Sequence, residues 1–213
     1  MRLRRVVSIF INIMKIERPK SKQHMPEDAV KVFTGKIFNV YQWKQEMYDG
    51  SFVTFEKLKS ADTVIVFPIL ENGNILLTKQ MQPGKAEFIG GCGGRLDNGE
   101  DPEAGARREM LEETGYESKE LILWKAVQPI SKIDRAVYVF VARDCKKIKE
   151  QNLDGGEKVG LFEVNFDEFL QYVRNPLFSE HEIVQDVYEA LLYENKHDKL
   201  MDLFYGSLGG SMK

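Results

Sequence analysis

Between Asp101 and Gly115 the chain reads DPEAGARREMLEETG, with carboxylates at Glu109, Glu112 and Glu113. In a helix these are i, i+3 and i+4, so all three share one face, and Gly105 lies on that face one turn earlier. Like charges at this spacing repel by roughly 0.2–0.5 kcal/mol per pair. They also crowd the C-terminal half of the helix, where the macrodipole disfavours anions. A hard divalent cation reverses both penalties, because Mg²⁺ takes carboxylate oxygens and keeps waters and phosphate oxygens as its other ligands. Arg108 precedes Glu112 by four residues and can hold that side chain through an ion pair. Ala104, Met110 and Leu111 occupy the other side and are expected to pack on a sheet. The alternative for such a row is a solvated acidic face.

Other chemistries are poorly supported. His24, His181 and His197 are far apart and lack metal-ligand spacing. Two cysteines, Cys92 and Cys145, make neither a disulfide framework nor a thiolate zinc site. Cys92 has no histidine near it in sequence and is read as incidental. Any metal is therefore expected on oxygen. Thirty Lys+Arg against 33 Asp+Glu leave a net charge of −3, too small a bias to require nucleic acid or an anionic membrane as partner. A chain that is 43% hydrophobic and 30% charged, with 17 Gly and 7 Pro, has the balance of a folded soluble protein. Its 213 residues suit one domain with an appendage. Near the start, Arg2, Arg4 and Arg5 precede an apolar run from Val6 to Met14, well short of the roughly 20 residues of a spanning helix. It also lacks a signal-peptide cleavage site. We read it as a dispensable extension, with Met14 and Met25 as alternative starts, and expect a cytoplasmic protein.

The elements that must position the acids can be read in order. Ile37, Phe38, Val40, Tyr41 and Trp43 before Asp49-Gly50, with Phe52, Val53 and Phe55 after it, predict a hairpin. Thr63 to Leu70 and Ile75 to Lys79 predict a second around Asn72-Gly73. A glycine passage, Gly90-Gly91-Cys92-Gly93-Gly94, leads to the acidic helix, with Asp101 as N-cap, Pro102 at its first position and Gly115 just past its end. Strands are expected at Leu121 to Val127, Ala136 to Ala142 and Gly160 to Val164. Ser179-x-x-Glu182 reads as a capping box opening a helix through Ile183, Val184, Val187, Ala190 and Leu191. The class is α/β or α+β, a mixed sheet between helices. The expected divisions are a loosely ordered extension at 1–31, a small antiparallel hairpin subdomain at 32–59, the main domain at 60–205 and a frayed tail at 206–213.

Gly94, five residues, Glu100, seven residues, then Arg108-Glu109-Met110-Leu111-Glu112-Glu113-Thr114-Gly115-Tyr116 resembles the Nudix box, G-x(5)-E-x(7)-R-E-U-x-E-E-x-G-U, with U apolar or aromatic. Every specified position matches. The resemblance implies an α/β/α sandwich that hydrolyses a nucleoside diphosphate linked to a further moiety X, with Mg²⁺ or Mn²⁺ as cofactor. It also implies that Glu109 and Glu113 are the main metal ligands and that Glu112 binds a further metal or orients water. Glu100 becomes a supporting acid, and the carbonyl of Gly93, just before Gly94, a further ligand. The physics agrees, since a polyanionic diphosphate obstructs attack by water and bound cations relieve that obstruction.

The hairpin ahead of this region and the segment VIVFPILENGNILLTKQMQP resemble the ADP-ribose pyrophosphatase and nucleotide-sugar branch. The resemblance spans roughly Val32 to Leu192 and is sharp only in the box. It implies a homodimer whose hairpin subdomains exchange between protomers, with aromatics such as Tyr41 and Trp43 holding the base. It further implies a loop glutamate that activates water, for which Glu157 is the candidate and Asp154 the substitute. Lys79 and Gln82 stand where the branch has arginines, leaving Lys79 as a cation for phosphate. Ile89-Gly90-Gly91-Cys92-Gly93 replaces the usual proline-bearing turn with added residues between Glu87 and Gly94, and Glu87, whose mapping onto the pattern is thereby loosened, is a further substrate-binding candidate. Pro129 falls thirteen residues after Tyr116, slightly short of the branch's spacing. Lys132 and Arg135 are candidates for the distal phosphate or sugar. The expected reaction is cleavage of ADP-ribose or a related nucleoside diphosphate sugar to a nucleoside monophosphate and a sugar phosphate. The rivals are a housecleaning hydrolase of nucleoside triphosphates and a non-catalytic nucleotide-sensing protein.

Overall fold

The computed structural model describes residues 16–153 and 155–206. Residues 1–15 of the expected extension, Asp154 and residues 207–213 of the expected tail lie outside the described residues.

Strands β1 (Val30–Thr34), β2 (Asn39–Glu46) and β3 (Phe52–Lys59) form an antiparallel sheet around the Asp49-Gly50 turn. The hairpin thus gains an outer strand, whose five residues are all exposed. The main sheet is built from β4 (Thr63–Leu70), β5 (Ile75–Met81), β6 (Phe88–Gly90), then, after helix α1 (Pro102–Thr114), β7 (Tyr116–Glu117) and β8 (Glu120–Val127). The short β9 (Ile133–Asp134) runs parallel to β3 and ties the two sheets together. β10 (Val137–Lys147) and β11 (Lys158–Val164) complete the main sheet, in the order β11-β5-β4-β10-β7 with β6 on β5 and β8 on β10. β4 and β10 are parallel and the other pairs antiparallel, so the sheet is mixed as expected. Helices α2 (Phe166–Tyr172), α3 (His181–Leu192) and α4 (Glu194–Tyr205) follow.

Strand alternation divides the core in two. Val137, Val139 and Val141 face Phe169, Ile183, Val187 and Phe204 of the last three helices. Tyr138, Phe140 and Ala142 face Ala106 and Met110 of α1 on the other side. The result is the expected layering of helix, sheet and helix. The packing face of α1 differs in detail: Ala104 is exposed and Leu111 only half-buried, while Gly105, Ala106, Met110 and Thr114 are buried.

The C-terminal segment corrects one expectation. Ser179 and Glu182 form no capping box: α3 starts at His181, and Glu180 in front of it makes no capping bond. Ser179 Oγ instead donates to Glu180 Oε1 at 2.7 Å and to the Ile89 carbonyl at 3.3 Å. A capping box does form on α2, where Asn165 and Glu168 satisfy each other's backbone N–H groups. The helix expected through Leu191 ends at Leu192, and after Tyr193, whose backbone is extended, a further helix, α4, follows.

Ahead of β1, Arg18 bridges Asp62 at 2.7 Å and Asp134 at 2.9 Å. Lys57, with 2% exposure, donates to Ser21 Oγ and the Gln23 carbonyl, both at 2.6 Å. Residues 18–23 are thereby laid across the junction of the two sheets.

Candidate active site

Helix α1 begins where its residues dictate. The Asp101 side chain accepts from the backbone of Glu103 and Ala104, Pro102 supplies the first turn, and Gly115 closes the helix at φ 77°. With Ala106 and Met110 fixed in the core, the acidic row is turned toward the glycine passage. Glu113 is buried, and its Oε2 accepts the Gly93 N–H at 2.9 Å. Gly93 has φ 153°, and a Cβ there would lie 2.1 Å from the Val64 carbonyl oxygen, so glycine alone fits. A side chain at Gly94 would strike the Glu109 carboxylate at 2.6–2.7 Å.

Arg108 has a wider role than an ion pair with Glu112. Its guanidinium bonds both Glu100 oxygens at 2.8 and 2.9 Å, Glu109 Oε1 at 2.9 Å and Glu112 Oε2 at 3.2 Å. Hydrogen bonding to Arg108 holds the Glu100 carboxyl down at about 2. Burial has the opposite effect at the other end of the row. It raises Glu109 and pushes Glu113 up to about 8, with the charges of neighbouring acids, Glu157 among them, adding to both.

The row opens on a cleft of about 590 Å³. Gly93, Gly94, Arg108, Glu109, Glu112 and Glu113 line it together with Glu157, Asn152, Gln82, Lys85 and Arg135. The structure places Glu157 and Arg135 in the same cleft as the acidic helix. Other candidates are placed elsewhere. Trp43 is buried within the subdomain, edge-on to Phe55 with ring centroids 6.0 Å apart. Neither it nor Tyr41 lines the cleft of its own chain; the subdomain's contribution there is Ile37 and Phe38. Lys79 pairs with Glu87 at 2.9 Å, and neither lines the cleft.

Lys85 and Arg95 are cations of the cleft that sequence reasoning missed, and Lys85 also borders the second cavity. Lys85 sits in the turn between β5 and β6, with Nζ 3.4 Å from the centre of the Phe88 ring, and only its neighbours in a Gln-Pro-Gly-Lys turn could have drawn attention to it. A second cavity, of about 360 Å³, shares Gln82, Lys85, Gly93 and Arg135 with the first.

Among the described residues no three His, Cys, Asp or Glu side chains meet closely enough to form a ready-made metal cage, and Arg108 engages one oxygen each of Glu109 and Glu112. The donor chemistry nonetheless fits a hard cation. Every candidate ligand is an oxygen, and burial and mutual repulsion at Glu109 and Glu113 are the penalties that a divalent ion offsets. The cleft leaves room beside them. Among the described residues no helix is long and apolar enough to cross a membrane.

Known proteins resemble this arrangement. A model of the NUDIX domain matches residues 59–187. An ADP-ribose pyrophosphatase of Bacillus subtilis (strain 168) is 31% identical over 147 residues, covering 68% of this chain and 80% of that protein. A methanol dehydrogenase activator of Bacillus methanolicus is 28% identical over 171 residues, covering 78% and 92%. Among solved structures, an ADP compounds hydrolase shares the fold with a TM-score of 0.65 at 18% identity, over 86% of this chain and 97% of that one. With the domain model spanning more than half of the chain, and the box carboxylates gathered at one cleft, the protein belongs to the Nudix family and is a hydrolase of the Nudix type.

Proposed function

We propose that the protein is a cytoplasmic, Mg²⁺- or Mn²⁺-dependent pyrophosphohydrolase. Its substrate is ADP-ribose or a related nucleoside diphosphate sugar, cleaved to a nucleoside monophosphate and a sugar phosphate. One observation carries the reading: the acids that can hold cations and the basic side chains that can hold phosphate, Lys85 and Arg135, line the same cleft. The Bacillus subtilis relative, named an ADP-ribose pyrophosphatase, supports the substrate class.

Glu109, Glu112 and Glu113, with the Gly93 carbonyl, would hold the metal, which when bound supplies neutralising charge to the diphosphate and a more acidic water. Arg108 keeps Glu109 and Glu112 in place and is itself anchored on Glu100. Lys85 and Arg135 bind non-bridging phosphate oxygens and orient the substrate. Glu157, in a loop with Gly155 and Gly156, faces the cleft and takes the proton of the attacking water as general base.

We further propose a homodimer. Val30, Val32, Phe33 and Phe52 on the N-terminal sheet are each more than half exposed, an apolar surface that a second protomer would cover.

The Bacillus methanolicus relative, named for activating a dehydrogenase, supports a second reading, a nucleotide-sensing protein without turnover. The intact acidic row favours hydrolysis, because a binding module has no need of it. A panel of nucleotide sugars and nucleoside triphosphates, assayed with Mg²⁺ for monophosphate release, tests hydrolysis against sensing and one substrate class against the other. ADP-ribose or another nucleotide sugar should be the preferred substrate, and a preparation that turns over none of them would leave only the sensing reading.

A further inference from the structure

Glu180, immediately before α3, is 7% exposed, yet only one of its carboxylate oxygens is used. Oε1 accepts from Ser179 Oγ at 2.7 Å. Oε2 is buried and has no hydrogen-bond partner among the described residues. An unpaired buried acceptor is destabilising, and no capping bond to α3 offsets it.

The fold makes room for this side chain. A Cβ at Gly90, on β6, would lie 2.0–2.3 Å from the Glu180 carboxylate, so the carboxylate occupies the place a side chain on that strand would take. Glu180 also borders the second cavity, which continues from the acidic cleft past Lys85 and Arg135. Gln80 links the two regions, since its Nε2 donates to Thr78 Oγ1 at 3.0 Å and reaches Glu113 Oε2 at 3.5 Å.

The acidic cleft, with its metal-holding carboxylates and phosphate-binding cations, accommodates the diphosphate, and the group X needs a seat beyond it. In a nucleotide sugar X is rich in hydroxyls and follows directly on the diphosphate. A cavity that leads on from phosphate-binding cations to an unpaired carboxylate oxygen offers hydroxyl donors a charged acceptor. It would repel a second anionic group, because Glu182 lines it too. We propose that the second cavity seats the hydroxyl-bearing group X, and that Glu180 Oε2, uncovered by a turn of its carboxylate, accepts a hydrogen bond from one of those hydroxyls. Glu180 is thus a specificity residue of the hydrolase proposed above, and the inference rests on that reading.

The test compares ADP-ribose with ADP, which lacks X. In Glu180→Gln the KM for ADP-ribose should rise about tenfold, while the inhibition constant of ADP stays within about twofold. Gly90→Ala, which pushes the carboxylate out of place, should give the same split. Thermal melting confirms that each variant is folded. An unchanged KM in folded Glu180→Gln, or an equal loss for ADP-ribose and ADP, overturns the assignment. A wild-type protein that turns over no nucleotide sugar overturns the hydrolase reading first, and this inference with it.

Discussion

Gly93 donates its backbone N–H to the Glu113 carboxylate at 2.9 Å, tying the glycine passage to the buried end of the acidic row. At the other end Arg108 spans Glu100, Glu109 and Glu112. The row is therefore graded: one end is neutralised by a guanidinium, while the other is buried with only neutral donors, the Gly93 N–H and the longer contact from Gln80, to stabilise its charge. The buried end is where an added cation gains most.

Substituting Glu113→Gln keeps the shape and removes the charge. Activity should fall by orders of magnitude, and the melting temperature should not fall, because a desolvated carboxylate has been replaced by an amide. Steady-state kinetics and melting curves measured on the same preparation check both halves; wild-type turnover would remove Glu113 from the site.

Arg108→Lys retains one positive charge but cannot reach three carboxylates with a planar fork. The Mg²⁺ concentration for half-maximal rate should rise by about tenfold to a hundredfold, the range for residues that orient metal ligands. A kcat loss at saturating Mg²⁺ with an unchanged metal requirement would instead place Arg108 on the substrate.

Glu157→Gln separates proton transfer from binding. The expected loss is about 10²–10⁴-fold in kcat with little change in KM. Unchanged turnover would pass the role to another acid of that loop, with Asp154 the next to substitute.

What the sequence disclosed depended on how local each signal is. The turns at Asp49-Gly50 and Asn72-Gly73 were legible because both need a glycine at positive φ, and Gly50 and Gly73 have φ of 80° and 83°. Helix α1 announced both its ends through Asp101, Pro102 and Gly115. Asn165 and Glu168 obey the same rule and were passed over for Ser179 and Glu182, which have the right spacing but whose serine is drawn away to Glu180 and Ile89. The burial of Trp43 depends on the facing Phe55 of β3. The approach of Glu180 to Gly90 joins residues ninety positions apart, and no local pattern encodes it.

Burial also makes stability depend on pH through Glu180. Its carboxyl is raised from 4.5 to about 7 in the folded protein, chiefly by desolvation and also by Glu182, while Ser179 and the nearby peptide N–H groups of Glu180 and Gly91 act against the shift. Below the unfolded value both states hold the proton and nothing is lost. As pH rises through the window from 4.5 to about 7, the unfolded chain releases its proton while the folded one keeps it, so folding loses stability. Glu180→Gln has no such loss. Its stability advantage over wild type should therefore grow between pH 5 and pH 8, by up to about 3 kcal/mol. Denaturant melts at the two pH values measure it, and an advantage that shrinks with pH would contradict the buried, raised carboxyl.

The segment ahead of β1 gives a last test, because two methionines bracket its contacts. A chain starting at Met14 keeps Arg18, Ser21 and Gln23; one starting at Met25 loses all three. Without Arg18, Asp62 and Asp134, only 18% and 13% exposed, lose their guanidinium partner. Lys57, buried in the subdomain, loses both of its acceptors. Asp62 keeps the Ala136 N–H at 2.8 Å and Asp134 keeps Lys59 at 4.0 Å, so most of the cost falls on Lys57, a charged donor left without acceptors, at about 3 kcal/mol, which in a chain of this length lowers Tm by roughly 6–12 °C. The Met25 chain should melt well below the Met14 chain. Restoring only Arg18 through Gln23 ahead of Met25 should recover most of the difference, whereas equal melting of all the chains would show that Lys57 and the two aspartates find other partners.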